Sequence, residues 1–522
     1  MCIRDSLKAY ANAFYGLIPG GVSVLDDTDS DIQVPNNINS FLWGQYVVPT
    51  EGGVWQKSNW QNIRNINYFM THYQSVQAAE ADVNIYVAEM RFFRALEYFN
   101  KIQLLGDVPW LEVDLNVDSE ELYGPKMKRN QVFQKIIEDL DFAIQWLPEA
   151  GSEEANRLNK DIARHVKARF CLNEGTHYKY HDELEYASEA EKWLQMAATE
   201  SDKLITSGRY EIYNTGHPQE DYFNMYRIDD KSDLKEAVLY VDYKTNILEH
   251  NMAAAGREAG CGFSKSFVES FLCSDGLPIS LSNKYLGDET MRKETANRDP
   301  RLKQLILTND FPTNVTDDLK DSTFVVNEDE FITQHCFTGY RPIKGFNPIY
   351  SQALYMKSSF DGIAYRYAET LLINAEAKAE LNTITNADLD RTVNQLRDRV
   401  GMPHLTVNVG FTDPKWPDWG YSLSPILQEI RRERCIELAG EGFRFNDLKR
   451  WKAGKVLNNV LTYVGKRKPD GNLAIVYPNY TNPDLSYQAG KSRTWEDKMY
   501  LYPIPTGELQ RNPQLLPQNP GW

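Results

Sequence analysis

Between about residues 60 and 207, apolar side chains recur every three or four positions along the chain. This spacing places them on one face of an α-helix, so the segment is predicted to form a series of amphipathic helices. The apolar faces comprise Val83, Val87, Met90, Phe93, Leu96 and Phe99 in the first helix, Val132, Ile136, Leu140, Ala143 and Leu147 in the second, Ala163, Val166 and Phe170 in the third, and Ala190, Trp193, Ala197, Leu204 and Ile205 in the fourth.

Turn signals separate these helices. Gly106-Asp107-Val108-Pro109 stops the first, Pro148 ends the second and Gly208 ends the fourth. Asn130 and Asn159 are predicted N-caps, because a short polar side chain accepts hydrogen bonds from the first turn of a helix. Small residues on the packing faces predict stacked helix-turn-helix pairs, although no strict sequence period is visible. They are Ala95, Ala168, Ala197 and Ala198.

From residue 210 to about 360 the pattern changes to frequent Gly, Pro, Asn and Asp, with short strand-like runs at Ala237–Val241 and Phe324–Val326. We predict a loop-rich insertion with little regular structure. Helical spacing returns from Tyr365 to Leu381 and from Leu389 to Val400. The last helices are expected at about 424–438 and 442–453, followed by an ordered but irregular C-terminal wrap.

Composition and charge narrow the class of protein. A chain of 522 residues exceeds the roughly 250–300 residues at which single cores stop growing, so it needs two domains or one extended helical layer. With 42% hydrophobic and 25% charged residues it is globular, neither collagen-like nor disordered. A net charge of −16 repels phosphate backbones over most of the surface, which disfavours nucleic acid as the main partner.

The cysteines and the N-terminus predict no covalent or membrane-spanning feature. The six cysteines are far apart and lack metal-site spacing. A disulfide bond between Cys261 and Cys273 is left as an alternative, because sequence spacing does not fix connectivity. The charge-free run from Ala9 to Leu25 contains Pro19, so we expect no membrane-spanning helix. Nor does the start resemble a signal peptide, and Cys2 precedes any apolar region. We expect the first residues to be a clipped or foreign start.

Several polar clusters could carry chemistry. His177 and His181 have i, i+4 spacing but no assignable third metal ligand. Asp27, Asp29 and Asp31 begin like a calcium loop, but Ile32 and Ile38 stand where an EF-hand has Gly and Glu, so only a looser calcium site stays open. The carboxylate pairs that could serve a glycosidase are Glu376 with Glu380 and Glu433 with Glu437. Arginines flank Glu433, which favours ion pairing over proton donation.

The segment Glu441–Trp451 is dense in charged and aromatic residues. Its i, i+3 pairs, Glu441 with Arg444 and Asp447 with Arg450, are predicted to anchor a helix through ion pairs. Phe445, Leu448 and Trp451 are predicted to point inward. A structural role is therefore favoured here over a binding site.

Aromatic residues in loops are the more informative candidates for binding. Covering a Trp face with a sugar ring removes about 100 Å² from water, worth about 2 kcal/mol. Two such platforms reach millimolar affinity, with amides and Arg orienting the hydroxyls. The loop aromatics are Trp43, Tyr46, Trp55 and Trp60; Tyr285, Tyr350 and Phe360; and Trp416, Trp419 and Tyr421.

Nine segments spread over nearly the whole chain carry a recognisable set of motifs. They are Ala88–Ala95 through Pro109, Asn173–His181, Arg298–Arg301, Arg366–Glu369, Ala375–Ala377, Leu396–Gly401, Glu433–Trp451, Pro503–Pro505 and Gln518–Trp522. In these segments and in their order the chain resembles the SusD/RagB family, the surface nutrient-binding lipoproteins of Bacteroidetes.

The resemblance implies a mainly α fold in which tetratricopeptide-like helix-turn-helix pairs form an α superhelix that supports a loop-rich, irregular ligand-binding region. It implies one SusD-like domain over 1–522, divided into an N-terminal loop-rich segment (1–59), helical pairs (60–209), an irregular insertion with short strands (210–360), C-terminal helical pairs (361–453) and an irregular wrap (454–522).

The resemblance also implies a non-catalytic protein that binds glycan outside the cell and delivers it to a SusC-type TonB-dependent transporter, docked on the helical face. It implies an outer-membrane location through an N-terminal lipid anchor that this chain does not show. No metal or other cofactor is expected. The alternatives are peptide binding, as in RagB-like members, a scaffolding repeat protein, or a helical glycoside hydrolase. The ligand-binding residues are predicted to be Trp43, Trp55, Tyr285 and Phe360.

Overall fold

The computed structural model describes residues 3–21, 23, 25–35, 39–152, 154, 156–258, 260–475 and 493–522. Cys2, and residues 476–492 of the predicted wrap, lie outside the described residues. Within those ranges the fold is mainly helical, with seventeen α-helices and eight short strands. None of these helices is both long enough and apolar enough to span a bilayer.

The helices are α1 (Ile3–Asn12), α2 (Gln61–His72), α3 (Glu80–Leu105), α4 (Arg129–Trp146), α5 (Lys160–Tyr180), α6 (Ala190–Ser207), α7 (Asp221–Asn224), α8 (Met252–Arg257), α9 (Lys265–Ser270), α10 (Met291–Thr295), α11 (Arg301–Leu305), α12 (Tyr367–Glu380), α13 (Asn386–Asp390), α14 (Val393–Val400), α15 (Pro425–Glu437), α16 (Arg444–Arg450) and α17 (Thr506–Arg511). The strands are β1 (Gln33–Pro35), β2 (Ala237–Val241), β3 (Cys261–Phe263), β4 (Pro312–Val315), β5 (Ser322–Phe324), β6 (Gly362–Arg366), β7 (Val464–Arg467) and β8 (Leu473–Ile475).

The four helices predicted between 60 and 207 are confirmed as α3 to α6. Asn159 is confirmed as the N-cap of α5, because its side chain accepts a hydrogen bond from the backbone N–H of Ile162 at 3.0 Å. The N-cap predicted at Asn130 is wrong. Helix α4 begins at Arg129, so Asn130 lies inside its first turn, and the Asn130 amide donates instead to Glu189 at 2.9 Å.

These helices pack as neighbouring pairs, α3 against α4 and α5 against α6, while α12 packs on α6 and α15. Phe99 of α3 and Phe170 of α5 stack with ring centroids 3.6 Å apart in the main core. Gly175 lets α6 approach α5, since a Cβ there would lie 2.9 Å from the backbone nitrogen of Leu194. Small residues therefore set the helix spacing, as the sequence predicts.

The described residues form four two-stranded antiparallel sheets, two of which tie the insertion to the rest of the chain. Strand β1 near the N-terminus pairs with β3, and β2 pairs with β6, which leads directly into α12. Hairpins β4–β5 and β7–β8 complete the set. The short helices α7 to α11 also lie between 210 and 360, so this segment is more regular than predicted.

Three predicted elements differ from the structure. The strand predicted at Phe324–Val326 ends at Phe324, which pairs with Pro312 at the end of its hairpin. The helical stretch from Leu389 to Val400 is split into α13 and α14 at Thr392, whose φ of −130° and ψ of −97° are not helical. Helix α16 starts at Arg444, because Gly442 has a φ of +78°.

Among the described residues, the five cysteines are buried thiols and the Cys261–Cys273 bridge is not formed. Cys261 accepts a hydrogen bond from the Gln33 amide at 3.4 Å, while Cys273 lies in a backbone bridge with Arg298. Burial raises the pKa of both thiols. They therefore act as small core residues.

Candidate functional site

A cavity of about 660 Å³ lies between α9, the loop 413–420, α15 and the irregular segment 455–462. Its volume is in the range of roughly 300–1,000 Å³ that is typical of ligand pockets. Ion-paired arginines, serines, side-chain amides and two tryptophans line it. It is called the Trp416 cavity below.

The loop 413–420 presents Trp416 to this cavity. Pro414 and Pro417 restrict the backbone on either side, and Gly420 has a φ of +82° where the loop turns back. The indole N–H of Trp416 donates to Glu429 Oε1 of α15 at 2.8 Å. Since the ring is only half-buried and its plane is held by this bond, it offers a fixed, partly open aromatic face.

Trp419, three residues further on, has a different role. Its side chain is 4% exposed, and its indole N–H donates to Gln428 Oε1 at 2.6 Å. The guanidinium of Arg431 lies 5.0 Å from its ring. Trp419 therefore forms part of the cavity wall, whereas Trp416 is the open platform.

Side-chain amides supply hydrogen-bond donors to the same cavity. Gln428 accepts from Trp419, Asn458 accepts from the backbone N–H of Trp495, and Asn459 accepts from that of Leu461. Within the described part of the chain, the NH₂ groups of these three amides have no protein acceptor. They are available to donate to a polar ligand.

The charges of the cavity wall are mostly neutralised within the protein. Arg432 pairs with Asp413 at 2.6 Å, and Arg444 pairs with Asp31 at 2.7 Å. Lys415 pairs with Glu269 at 2.8 Å. Because opposite charges already face each other, the wall favours a neutral polar ligand over a strongly ionic one.

None of the four predicted binding residues is among those that line this cavity. Trp43 is buried, edge-on to Tyr463 with ring centroids 5.5 Å apart. Tyr285 is half-buried beneath the guanidinium of Arg298 at 5.4 Å. Burial raises the pKa of Tyr285, and the nearby charge of Glu294 raises it further.

Trp55 and Phe360 also pack within the protein. Trp55 is half-buried against Trp60, with ring centroids 5.1 Å apart. Phe360 is 1% exposed and packs edge-on against His250 at 4.6 Å. A ring as enclosed as Phe360 or Trp43 presents no face to a ligand in this conformation. Ligand contact by any of the four stays a prediction, for which Tyr285 and Trp55 have the more open side chains.

The contact between His250 and Phe360 predicts an acid-sensitive element. The Nε2–H of His250 donates to the Phe360 carbonyl at 2.8 Å, and Nδ1 accepts from the backbone N–H of Met252 at 3.2 Å. Burial lowers the pKa of His250 to about 4. An unfolded imidazole titrates near about 6.5, so the unfolded state takes up a proton first and stability falls as pH drops from 6.5 towards 4.

We expect His250 to contribute about 1 kcal/mol of destabilisation between pH 7 and 5, after allowance for solvent screening. Urea unfolding of the wild type and of His250→Gln at pH 7 and at pH 5 measures this change in the free energy of unfolding. Burial raises the pKa of Asp27 to about 7, which opposes the trend, but this group is common to both proteins and cancels in the difference. Equal pH dependence in the two proteins would contradict the assignment.

The candidate catalytic carboxylates are all buried in ion pairs. Glu376 binds Arg450 at 2.6 Å, and Glu380 binds Arg431 at 3.0 Å. Glu433 binds Arg397 at 2.9 Å. Glu437 is held by three arginines, Arg301, Arg366 and Arg399. Burial acts to raise the pKa of Glu380 and of Glu437, but the arginine charges outweigh it and lower both. Neither is suited to donate a proton near neutral pH.

The candidate metal ligands are also engaged within the protein. The rings of His177 and His181 are 4.0 Å apart, and His181 Nε2 contacts the Lys449 carbonyl at 2.9 Å. Asp27 accepts from the backbone N–H groups of Gly440 and Arg444, and Asp31 binds Arg444. No cluster of three or more potential metal ligands occurs in the described ranges.

The segment from Glu441 to Trp451 has the predicted structural role, with one change of partner. Asp447 binds Arg450 at 2.9 Å, as predicted, and Trp451 is fully buried. The predicted ion pair between Glu441 and Arg444 is wrong. Glu441 binds Arg366 at 2.6 Å, and Arg444 turns to Asp31. The positive φ of Gly442 places Glu441 outside the helix, which removes the i, i+3 geometry.

The platform residue Trp416 was not among the predicted binding residues. Its sequence signal is the run Pro414-Lys415-Trp416-Pro417-Asp418-Trp419-Gly420, in which two prolines and a glycine hold tryptophans in a short loop. The run does not reveal which of the two rings stays open.

The amino-acid sequence was compared with protein-family models and with known proteins, and the matches below are all SusD-like. The family model described as "SusD family" matches residues 205–522. SusD-like protein P2 of Formosa agariphila is 24% identical over 456 residues, which cover 85% of this chain and 75% of that protein.

Solved structures share the fold over almost the whole chain. A SusD-like protein from Bacteroides fragilis has a TM-score of 0.75 at 24% identity, covering 99% of this chain and 96% of its own. A protein described as a SusD-like carbohydrate-binding protein from the same species has a TM-score of 0.72 at 20% identity, with 98% and 99% coverage. The mainly helical fold predicted from the sequence is therefore confirmed.

Proposed function

Because the chain belongs to the SusD family, we propose that it binds a neutral glycan in the Trp416 cavity and does not cleave it. One observation carries this proposal: the half-open face of Trp416 stands in a cavity where three side-chain amides have NH₂ groups to donate. Sugars combine an apolar ring face with hydroxyl edges, so they match a stacking platform ringed by amides.

The expected energy of the platform is modest. Covering about 100 Å² of the Trp416 face is worth about 2 kcal/mol, and amide hydrogen bonds to hydroxyls add about 1 kcal/mol each. Together these terms correspond to millimolar to micromolar affinity for a short oligosaccharide, after the cost of ordering it. Such binding suits capture and release.

Family membership also supports a location and a partner. We propose that the protein is held at the outer membrane of its cell by an N-terminal lipid anchor and passes its glycan to a SusC-type TonB-dependent transporter. Absence of catalysis is part of the proposal, and it is supported by the ion pairing of Glu376, Glu380, Glu433 and Glu437.

Affinity electrophoresis through a panel of neutral polysaccharides tests glycan binding. Replacing Trp416 by Ala is expected to weaken binding of the retained glycan about 30-fold, which corresponds to the loss of about 2 kcal/mol. Trp416→Phe keeps an aromatic face and should recover part of the loss. Trp55→Ala tests the sequence-predicted alternative, since Trp55 is another half-buried tryptophan that does not line the cavity. Trp146→Ala, on α4, is the matched control.

Retention unchanged in Trp416→Ala would reject the cavity as the glycan site, and loss in Trp55→Ala alone would move the site to Trp55. Prolonged incubation with the retained glycan should release no new reducing ends. Sustained release that Glu376→Gln abolishes would instead establish a hydrolase.

A further inference from the structure

A second, smaller cavity of about 250 Å³ is lined by Arg434 of α15 and by residues of α16. Residues of α3, α5 and α12, strand β6, the loop 441–443 and the N-terminal residues Pro19, Gly21 and Asp26 form the rest of its wall. The two cavities have no lining residue in common. Asp26 lines the second cavity and is exposed to solvent, so the cavity opens to the surface at this residue.

Three half-buried amides from three different helices converge on this cavity. They are Gln103 of α3, Asn173 of α5 and Asn446 of α16. None of the three side chains forms a hydrogen bond to any other described residue. Amides that fold towards one cavity from separate helices and find no protein partner are groups that a ligand can satisfy.

Arg434 of the same wall is held in place by an ion pair. Its side chain is 4% exposed, and its Nε donates to Asp447 at 2.8 Å. Its Nη1 has no hydrogen-bond partner among the described residues and is enclosed by protein atoms. The case for a ligand therefore rests on the three amides that line the cavity.

Charge and shape define the class of ligand. The cavity is lined by three arginines, Arg169, Arg434 and Arg450, and by three carboxylates, Asp26, Glu441 and Asp447. The formal charges balance, which favours a neutral ligand. Phe443 adds an apolar face to this wall. The volume equals that of about eight liquid-water molecules, so only a small ligand fits.

We propose that this cavity binds a single neutral sugar ring, because hydroxyl groups can both donate to and accept from its three unpaired amides while the ring face covers Phe443. The ring can be a free monosaccharide or the terminal unit of a longer chain. This inference does not depend on glycan binding in the Trp416 cavity, since the two cavities share no lining residue.

Saturation-transfer NMR and calorimetric titration test the proposal on the full chain with D-glucose, D-galactose, D-mannose, L-rhamnose and, as a charged comparator, D-glucuronate. At least one neutral sugar should bind, and D-glucuronate should bind more weakly than its neutral counterpart D-glucose. Asn446→Leu and Gln103→Leu keep side-chain size but remove the amide, and each should raise the Kd at least tenfold.

Trp416→Ala separates the two sites: monosaccharide binding that persists in this variant lies outside the Trp416 cavity, so failure of one site is distinguishable from failure of the other. Methyl glycosides and oligosaccharides of the sugar that binds separate the two sources: oligosaccharide binding that depends on Asn446 identifies a chain terminus, and monosaccharide binding alone identifies a free sugar. Thermal melts verify that the variants fold.

Three outcomes would overturn the proposal. One is that no neutral sugar binds at tens of millimolar, either as the free monosaccharide or as the terminal unit of an oligosaccharide, which would leave a cavity that holds water. Another is equal affinity in the wild type and both leucine variants. The third is loss of monosaccharide binding in Trp416→Ala, which would assign the sugar to the other cavity.

Discussion

Replacing Glu437 by Gln is expected to lower the free energy of unfolding by about 3–5 kcal/mol, because it leaves buried arginine charges without their shared partner. Glu437 accepts from Arg399 at 2.7 and 2.6 Å, from Arg366 at 2.7 Å and from Arg301 at 3.0 Å. All four side chains are at most 2% exposed.

The cluster around Glu437 joins distant parts of the chain, since Arg301 comes from the insertion, Arg366 from β6, and Arg399 from α14. Burial acts to raise the pKa of Glu437, but the three guanidinium groups outweigh it and hold the pKa well below its usual range. Loss of this carboxylate should therefore weaken the packing of the insertion, β6 and α14 on α15, and not only one contact.

Chemical denaturation of the wild type and Glu437→Gln measures the effect. Glu211→Gln is the matched control, because Glu211 pairs with Lys235 at 2.9 Å while both side chains are about 60% exposed. Exposed pairs contribute about 0–1 kcal/mol, so the control should unfold almost as the wild type does. Similar losses in both variants would show that burial does not govern these ion pairs.

The second large effect is expected at Gly465, where alanine should destabilise the protein by about 3 kcal/mol or more through overpacking. Gly465 lies in β7 against the backbone of Thr338. A Cβ at this position would be 2.0 Å from the Thr338 carbonyl oxygen and 2.3 Å from its Cα. Both neighbours are backbone atoms, which cannot move aside as a side chain can.

Lys466, the next residue, donates its backbone N–H to the same Thr338 carbonyl at 2.8 Å. Alanine at 465 should therefore also loosen the contact of β7 with the insertion. Gly16→Ala is the control, since a Cβ there meets no atom within 4 Å. We expect it to be neutral or slightly stabilising. A thermal midpoint of Gly465→Ala equal to that of Gly16→Ala would contradict the close approach.

Local signals predicted much of the helical framework. The 3.6-residue spacing identified α3 to α6, and Asn159 marked the start of α5. Errors arose where tertiary contacts override local preference. Thr392 interrupts a continuous apolar spacing, and the backbone of Gly442 moves Glu441 off its helix. The candidate site was predicted only as a kind of chemistry, aromatic rings in loops, and not as a place.

The sequence by itself determined the class of this protein, an acidic chain of amphipathic helix pairs with a loop-rich insertion, because periodicity, turn signals and net charge are properties of neighbouring residues or of the whole composition. Only the tertiary structure decided which aromatic face stays open. Trp416 and Trp419 are three residues apart, yet one is half-open and the other closed. It also decided which charges meet, since Arg444 pairs with Asp31 across 413 positions. Burial and ion pairing depend on residues that are distant along the chain and adjacent only after folding.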